Sequence, residues 1–269
     1  MNPVARHVGR WLAGWLTRPR VAYTSVSPPT DSRLLAETLQ AGDVLLVEGN
    51  TRISAAIKYL TQSTWSHAAL YVGPQDSAED PLRALVFIEA DTIDGVRCVS
   101  LAKYDGLHTR ICRPVGLTEE DRGRVVAYAL ERIGLQYDLK NIFDLARYLF
   151  PTPPVPQRWR RRMLTLGSGD PTRAICSTLI AQCFQSVRYP ILPQVKIVPA
   201  ARPGCETCVD EVLTPRHHSL FVPRDFDTSP YFAIVKPTLG EAFDYRRLHW
   251  SNDEAEKDLQ PSPTAAAGR

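Results

Sequence analysis

The chain has 269 residues, of which 44% are apolar and 23% are charged, and its 32 basic and 29 acidic residues leave a net charge of +3. These values are ordinary for a folded soluble protein and exclude a chain that is disordered throughout. So small a net charge gives no reason to expect nucleic acid as a partner. Six cysteines without a recognisable signal peptide predict reduced thiols and a cytoplasmic location.

Residues 1–26 are predicted to form an amphipathic helix. Its apolar stripe is flanked by arginines and consists of Val4, Val8, Trp11, Leu12, Trp15 and Leu16. Tryptophans on such a stripe suit a helix that lies in a membrane interface, so residues 1–20 could attach the protein to a membrane peripherally. Packing against its own domain or a second subunit is the alternative, which the pattern favours slightly. No apolar run reaches 18 residues, so no membrane-spanning helix is expected.

The main domain is predicted to occupy residues 42–237 and to combine helices with an antiparallel sheet. Strand-type runs occur at 43–48, 66–72, 85–90, 95–99 and 109–112. They predict a sheet of four or five strands, in which the last three form a meander because short turns join them. One further strand is predicted at 231–235, within an otherwise proline-rich segment.

Helices are predicted at 32–40, 53–60, 118–133 and 139–149. The third begins at a capping-box-like Thr118 and ends at Gly134. Its predicted buried face consists of Val125, Val126, Ala129, Leu130 and Ile133. Residues 151–172 form an insertion rich in proline and arginine, after which a helix begins near Thr172, and residues 254–269 are predicted to be a disordered tail.

Cys176, near the start of this last helix, is the candidate nucleophile. A thiol becomes a good nucleophile when its pKa is lowered, and a helix N-terminus and a neighbouring imidazole both lower it. The Cys176 N–H could also stabilise an oxyanion. Taken alone, however, the helix favours a structural cysteine, because Cys176 shares one apolar face with Ile180, Cys183 and Val187.

His67 is the candidate base. It lies on a predicted strand next to Ala68 and Ala69, whose small side chains leave room for a partner. A single histidine on a strand is usually structural, and sequence spacing alone cannot pair it with a particular cysteine.

Several motifs, in the order in which they occur along the chain, resemble those of the circularly permuted papain-like amidases. The resemblance is greatest to the YaeF/YiiX-like branch of the NlpC superfamily. They are Gly42-Asp43, Ser66-His67, Ile88-Glu89-Ala90, Tyr137-Asp138, 175–179 and the terminal segment 225–232. The resemblance covers residues 42–237 and implies an α+β fold of NlpC type. In this fold an antiparallel sheet or half-barrel packs against helices, and the nucleophile helix lies in the C-terminal half. Permutation accounts for the position of His67, which precedes Cys176 by 109 residues.

The resemblance also implies a role for each site residue. Cys176 attacks a carbonyl, and His67 accepts its proton and later protonates the leaving group. Glu89 orients the imidazole, with Asp91 on the same strand face as the alternative. Tyr137 borders the site and can donate a hydrogen bond to the oxyanion. No cofactor is implied.

The function expected from this set is that of a cysteine amidohydrolase, which cleaves an amide or ester through an acyl-enzyme. Its substrate would be a small amide or ester: a cell-wall-type peptide, or an acylated lipid or protein. One alternative is an acyltransferase of the lecithin:retinol type, in which an acceptor other than water resolves the thioester. The other is a non-catalytic module that binds a membrane surface.

A metal site is a further possibility in the C-terminal part of the chain. Four residues that can ligate zinc lie close in sequence there: Cys205, Cys208, His217 and His218. Their spacing matches no common zinc finger, so a reduced cysteine pair in a loop is the preferred interpretation.

Overall fold

The computed structural model describes residues 29–74, 84–91, 94–136, 175–199, 209–237 and 246. The predicted helices at 1–26 and 139–149, the insertion 151–172 and the tail 254–269 lie outside these residues. The elements described below all belong to one compact unit that ends at Pro237.

Helices and strands alternate irregularly along the described chain. The helices are α1 (Ser32–Thr38), α2 (Arg52–Thr61), α3 (Glu119–Leu130), α4 (Ile175–Ser186) and α5 (Pro223–Thr228). The strands are β1 (Val44–Val47), β2 (His67–Pro74), β3 (Leu85–Asp91), β4 (Gly95–Ser100), β5 (Thr109–Pro114), β6 (Gln194–Pro199), β7 (Val209–Thr214) and β8 (Phe232–Val235). Two short 3-10 helices span Leu101–Tyr104 and His218–Leu220.

The central sheet has six strands in the order β4-β3-β2-β1-β5-β8, and every neighbouring pair is antiparallel. The predicted α+β fold is therefore confirmed, but the predicted count of four or five strands is too low because β8 joins the edge beside β5. The predicted meander is also wrong at its last step, since β5 pairs with β1 and not with β4. Ile111 and Cys112 explain this placement: both are fully buried, so β5 must be covered on both faces, as it is next to the buried β1.

The two faces of the sheet carry separate hydrophobic cores, as alternation of side chains along each strand requires. On one face, helix α4 packs through Leu179, Ile180 and Phe184 onto small and branched residues of the strands, namely Leu46, Ala68, Leu70 and Ile88. On the other face, Leu35 of α1 packs onto Leu45, Val47, Ala69 and Phe87. Helix α4 thus lies against β2 and β3, which carry His67 and Glu89.

Helix α3 begins as predicted, with the Thr118 hydroxyl accepting a hydrogen bond from the N–H of Asp121. It ends at Leu130, however, and not at Gly134, and Leu130 and Ile133 are each 44% exposed although they were predicted to be buried. The cause lies in the backbone after the helix. The N–H of Gly134 donates to the Val96 carbonyl at 2.8 Å, so the chain leaves the helix to bind the edge of β4.

Gly95 is where this connection is tightest, and we expect Gly95→Ala to destabilise the protein by about 3 kcal/mol. Its φ is +74°, and an added Cβ would lie 2.3 Å from the Leu135 carbonyl oxygen. Gly116→Ala is the matched control, because φ is +72° there but nothing lies within 4 Å of the added atom. That control should cost about 1 kcal/mol. Urea denaturation measures both, and equal losses would contradict the backbone contact.

Strands β6 and β7 form a separate two-stranded sheet that sequence patterns did not indicate. Its apolar side chains are largely exposed, among them Val195, Ile197, Val209 and Leu213. Within the described part of the chain, no helix has both the length and the apolar character needed to cross a bilayer.

Candidate active site

Cys176 lies in the first turn of α4, which is described from Ile175 onward, and its side chain is buried. Leu179 and Ile180, the next residues toward the sheet, anchor this turn in the core. The helix therefore holds the thiol at a fixed place above β2.

A gap between β2 and β3 lets the thiol reach the sheet. The paired ladder of these strands has its last pair at Leu70 and Ile88, so the start of β2 separates from β3. Ala68 lies in this separated part, one residue after His67. Burial raises the pKa of the Cys176 thiol, but the charge of the His67 imidazole and the backbone N–H of Ala68 outweigh this, so both groups lie near the sulfur.

Glu89 binds the same imidazole from the other side. The Nε2 atom of His67 lies 2.8 Å from Oε2 of Glu89, whose side chain is fully buried, whereas that of His67 is 25% exposed. Burial alone would raise the pKa of Glu89. The hydrogen bond and positive charge of His67, together with the charge of Lys103, outweigh this and lower the pKa. Glu89 is thus an ionised carboxylate fixed against the ring.

Three further groups hold Glu89 in place. The hydroxyl of Tyr104 donates to Oε2 at 2.8 Å, and Nε of Arg97 donates to Oε1 at 2.9 Å. Nζ of Lys103 also contacts Oε1. Each carboxylate oxygen therefore has two donors, which satisfies the requirement that a buried charge be paired and hydrogen-bonded.

Asp91, the alternative to Glu89 from sequence, lies at the edge of this network. Its Oδ2 is 3.3 Å from Nη2 of Arg97, and the same guanidinium also contacts Asp94. Because Arg97 donates to Glu89 through Nε, it links the buried carboxylate to two more exposed ones. The carboxylate against His67 is that of Glu89.

Three of the four predicted site residues are brought together: Cys176, His67 and Glu89. Tyr137 lies outside the described residues. Sequence analysis missed Tyr104, Arg97 and Lys103. Arg97 could have been found, because it is the direct cross-strand partner of Glu89 in the β3–β4 hairpin.

The charges around Cys176 favour a thiolate paired with an imidazolium. Burial raises the pKa of the Cys176 thiol, but the charge and hydrogen bond of His67 and the Ala68 N–H outweigh it, and the pKa is lowered. Burial likewise lowers the pKa of His67, but the Cys176 thiolate and Glu89 raise it to about 10. By contrast, burial raises the pKa of Cys183 to about 12. A thiolate beside a protonated imidazole can attack a carbonyl carbon, and the imidazolium can then protonate the leaving group.

Of the four residues that offered a possible zinc site, two lie within the described residues and two lie outside them. His217 and His218 have ring centroids 4.1 Å apart. Cys205 and Cys208 lie outside the described residues. Among those that are described, no three histidine, cysteine or acidic side chains form a group that could hold a metal ion.

Part of the chain is similar to a known protein family. Residues 38–149 match the model of the permuted papain-like amidase enzymes, YaeF/YiiX, C92 family. The matched segment contains β1 to β5, with His67 and Glu89, and ends before α4 and Cys176. The crystal structure of the metalloprotein YiiX from Escherichia coli O157:H7 is similar at 15% identity and a TM-score of 0.43, over 73% of this chain and 96% of that one. A comparison with curated proteins found no significant match.

Proposed function

We propose that this chain, whose residues 38–149 match the model of the permuted papain-like amidases of the C92 family, acts through Cys176 as a cysteine amidohydrolase. The family consists of cysteine amidases and peptidases, so a hydrolase is the activity that it supports broadly. Our proposal adds the catalytic residues and an acyl-enzyme intermediate.

One observation supports this proposal above all: Nε2 of the His67 imidazole lies 2.8 Å from Oε2 of Glu89, and the same imidazole lies near enough to Cys176 to lower the pKa of its buried thiol. The nucleophile, the base and the orienting carboxylate thus follow one another in space, in the order that acyl transfer to a thiol requires. A buried structural cysteine needs neither partner. The neighbouring buried thiol of Cys183 has no such imidazole beside it among the contacts that shape its pKa.

The reaction would proceed in two steps. The Cys176 thiolate attacks the substrate carbonyl, and the oxyanion accepts a hydrogen bond from a backbone N–H of the first turn of α4. The His67 imidazolium gives its proton to the leaving amine or alcohol, which departs as the thioester forms. Water then attacks the thioester while His67 accepts a proton from it, and the carboxylic acid leaves as the thiolate returns. Glu89 keeps the ring oriented and stabilises its protonated form.

The substrate and location that we propose rest on the sequence. We propose a small amide or ester, carried by a peptide or by an acylated lipid or protein, and a cytoplasmic enzyme that residues 1–20 can bring to a membrane surface. An acyltransferase of the lecithin:retinol type would use the same first step and differ only in the acceptor that resolves the thioester.

Rapid mixing with excess activated acyl ester, followed by acid quenching and peptide mass analysis, tests the proposal. We expect one acyl group per protein, located on Cys176. Release of that group as the free acid identifies a hydrolase, whereas transfer to an added amine or alcohol in preference to water identifies an acyltransferase. A folded protein that forms no adduct and releases no acid contradicts both. If such a protein also sediments with liposomes, the membrane-binding module is favoured instead.

A further inference from the structure

A cleft of about 560 Å³ opens at the same end of the sheet as His67. It lies between the loop that follows α2, the start of β5, and α5. The ionisable and aromatic side chains along it are Trp65, His108, Arg110, Arg224 and Asp227. The described lining thus includes two guanidinium groups and one imidazole, against a single carboxylate.

That carboxylate is already engaged. Asp227 accepts a hydrogen bond from Nη1 of Arg110 at 2.7 Å and another from Nε1 of Trp65 at 3.1 Å. The guanidinium carbon of Arg110 lies 4.9 Å from the centroid of the Trp65 ring, a cation–π distance. Asp227 and Trp65 therefore orient Arg110, and the charge of Asp227 is offset, so the remaining charge along the cleft is positive.

Several donors remain available along the cleft. Arg224 uses Nη1 for the Thr61 carbonyl at 3.3 Å, and the Nδ1 atom of His108 faces Oε2 of Glu48 at 3.2 Å. In the described structure the other N–H groups of Arg110 and Arg224, and Nε2 of His108, have no hydrogen-bond partner. Guanidinium groups bind carboxylate and phosphate oxygens in particular, because their planar donors match these groups two at a time.

The cleft lies within reach of the thiol. Arg110 pairs directly with Leu46, and Leu46 pairs with Ala68, so the three residues form one row across three strands and share a face of the sheet. Two strand spacings separate the Cα atoms of Arg110 and Ala68 by roughly 10 Å. Burial alone would raise the pKa of the Cys176 thiol, and the backbone N–H of Ala68 is one of the groups that lower it, so Ala68 lies near the sulfur. A group bound at Arg110 would thus lie about three extended residues from the carbonyl that the thiol attacks.

We infer that this cleft binds an anionic group, a carboxylate or a phosphate, at the far end of the substrate whose carbonyl Cys176 attacks. The inference rests on the proposed function, which supplies the reactive carbonyl. It further specifies that the substrate carries a negative charge and how far that charged group lies from the scissile bond. It selects among the proposed amides and esters those that carry a free carboxylate or a phosphate.

Binding can be tested apart from catalysis in the Cys176→Ala protein, by calorimetric titration with glutarate and, separately, with inorganic phosphate. We expect saturable binding of at least one anion, and the stronger of the two identifies the group. Arg110→Gln should weaken this binding by about tenfold or more. Arg224→Gln should also weaken anion binding. This variant loses only the hydrogen bond to the Thr61 carbonyl, so it replaces Arg110→Gln in the test if Arg110→Gln does not fold. Arg124→Gln is the matched control, since Arg124 lies on α3 and is 59% exposed.

Catalysis provides the second measurement, with mono-p-nitrophenyl suberate, its neutral methyl ester, and a phosphonate-terminated analogue of the same length. Wild-type protein should prefer a charged ester to the neutral one by about tenfold or more in kcat/KM. Arg110→Gln should bring this ratio close to one, and Arg124→Gln should preserve it.

Failure of the inference and failure of the proposed function give different results. Absence of saturable binding of both anions overturns the inference, as does an equal loss in Arg124→Gln. Binding without any preference for the charged esters overturns the assignment to the substrate. Retained anion binding, with no ester hydrolysed through Cys176, contradicts the proposed function and leaves the anion site standing.

Discussion

Replacing Cys176 with alanine is expected to lower acyl transfer by about 10⁴-fold or more, because the variant lacks the atom that forms the thioester. The side chain is buried at the start of α4, and the change removes a single sulfur atom. The variant should therefore stay folded, at a cost of about 1 kcal/mol. Hydrolysis of an activated ester and thermal unfolding followed by circular dichroism measure the two effects.

Cys98→Ala is the control for this experiment. Cys98 is the exposed thiol on β4, and partial burial raises its pKa, so it is accessible but weakly nucleophilic. Its replacement should leave the rate within about twofold of wild type. Turnover that persists in Cys176→Ala, or that disappears in Cys98→Ala, would place the nucleophile elsewhere.

Glu89→Gln is expected to have the second-largest effect, on both activity and stability. The change replaces a fully buried carboxylate with a neutral amide and leaves His67, Arg97 and Lys103 without the negative charge that they share. Loss of one partner from a buried charge cluster costs about 3 kcal/mol, the lower end of the usual range, because Arg97 and Lys103 are about one-third exposed and can hydrate. The rate should fall by about 100-fold, since the imidazole loses its orientation.

The pH dependence of the same variant follows from the two shifted pKa values. Glu89 has a lowered pKa, so it stabilises the fold above its ordinary pKa of 4.5 and loses this effect as the pH falls. His67 has a raised pKa, so it stabilises the fold below 6.5 and loses this effect as the pH rises toward about 10. The difference in unfolding free energy between wild type and Glu89→Gln should therefore be greatest between pH 4.5 and 6.5.

Activity should change at alkaline pH as well. The active form needs a protonated His67, so the wild-type rate should fall at alkaline pH, where the coupled thiol and imidazole lose their shared proton. Without the charge of Glu89 this fall should occur at lower pH. Asp91→Asn is the control, because Asp91 contacts Arg97 at 3.3 Å and is partly exposed, so the alkaline limb should stay in place. A shift in Asp91→Asn but not in Glu89→Gln would make Asp91 the orienting residue.

Local patterns predicted most of the elements that build the site. Alternating and helical spacing located β1 to β5, α2 and the start of α3, because each of these elements buries one face or both. The C-terminal end of α3 was predicted wrongly. Leu130 and Ile133 have the right spacing for burial, but they are exposed because the chain turns away after Leu130 to bind β4 at Val96. The β6–β7 pair was missed because its apolar residues are exposed and proline-rich sequence surrounds it.

The site itself was only partly visible in the sequence. The contact between His67 and Cys176 depends on how α4 packs over β2, and no spacing of residues encodes that packing. Glu89 could be proposed because it lies on the strand after His67. Tyr104 and Lys103 gave no signal, since the short 3-10 helix that carries them has no periodic pattern, and its buried tyrosine resembles any core residue.

The site combines residues of neighbouring strands with a cysteine on a helix that follows much later in the chain. This arrangement has a consequence for the order of folding. His67, Glu89, Arg97 and Tyr104 lie on consecutive strands and the turn that follows them, so their contacts close short loops at low entropic cost. Cys176 joins them from much farther along the chain. The imidazole and its carboxylate can therefore assemble first, and the thiol is activated only when α4 docks over the gap beside Ala68. A nascent or partly unfolded chain would carry an ordinary thiol, and reactivity would arise with the last step of assembly.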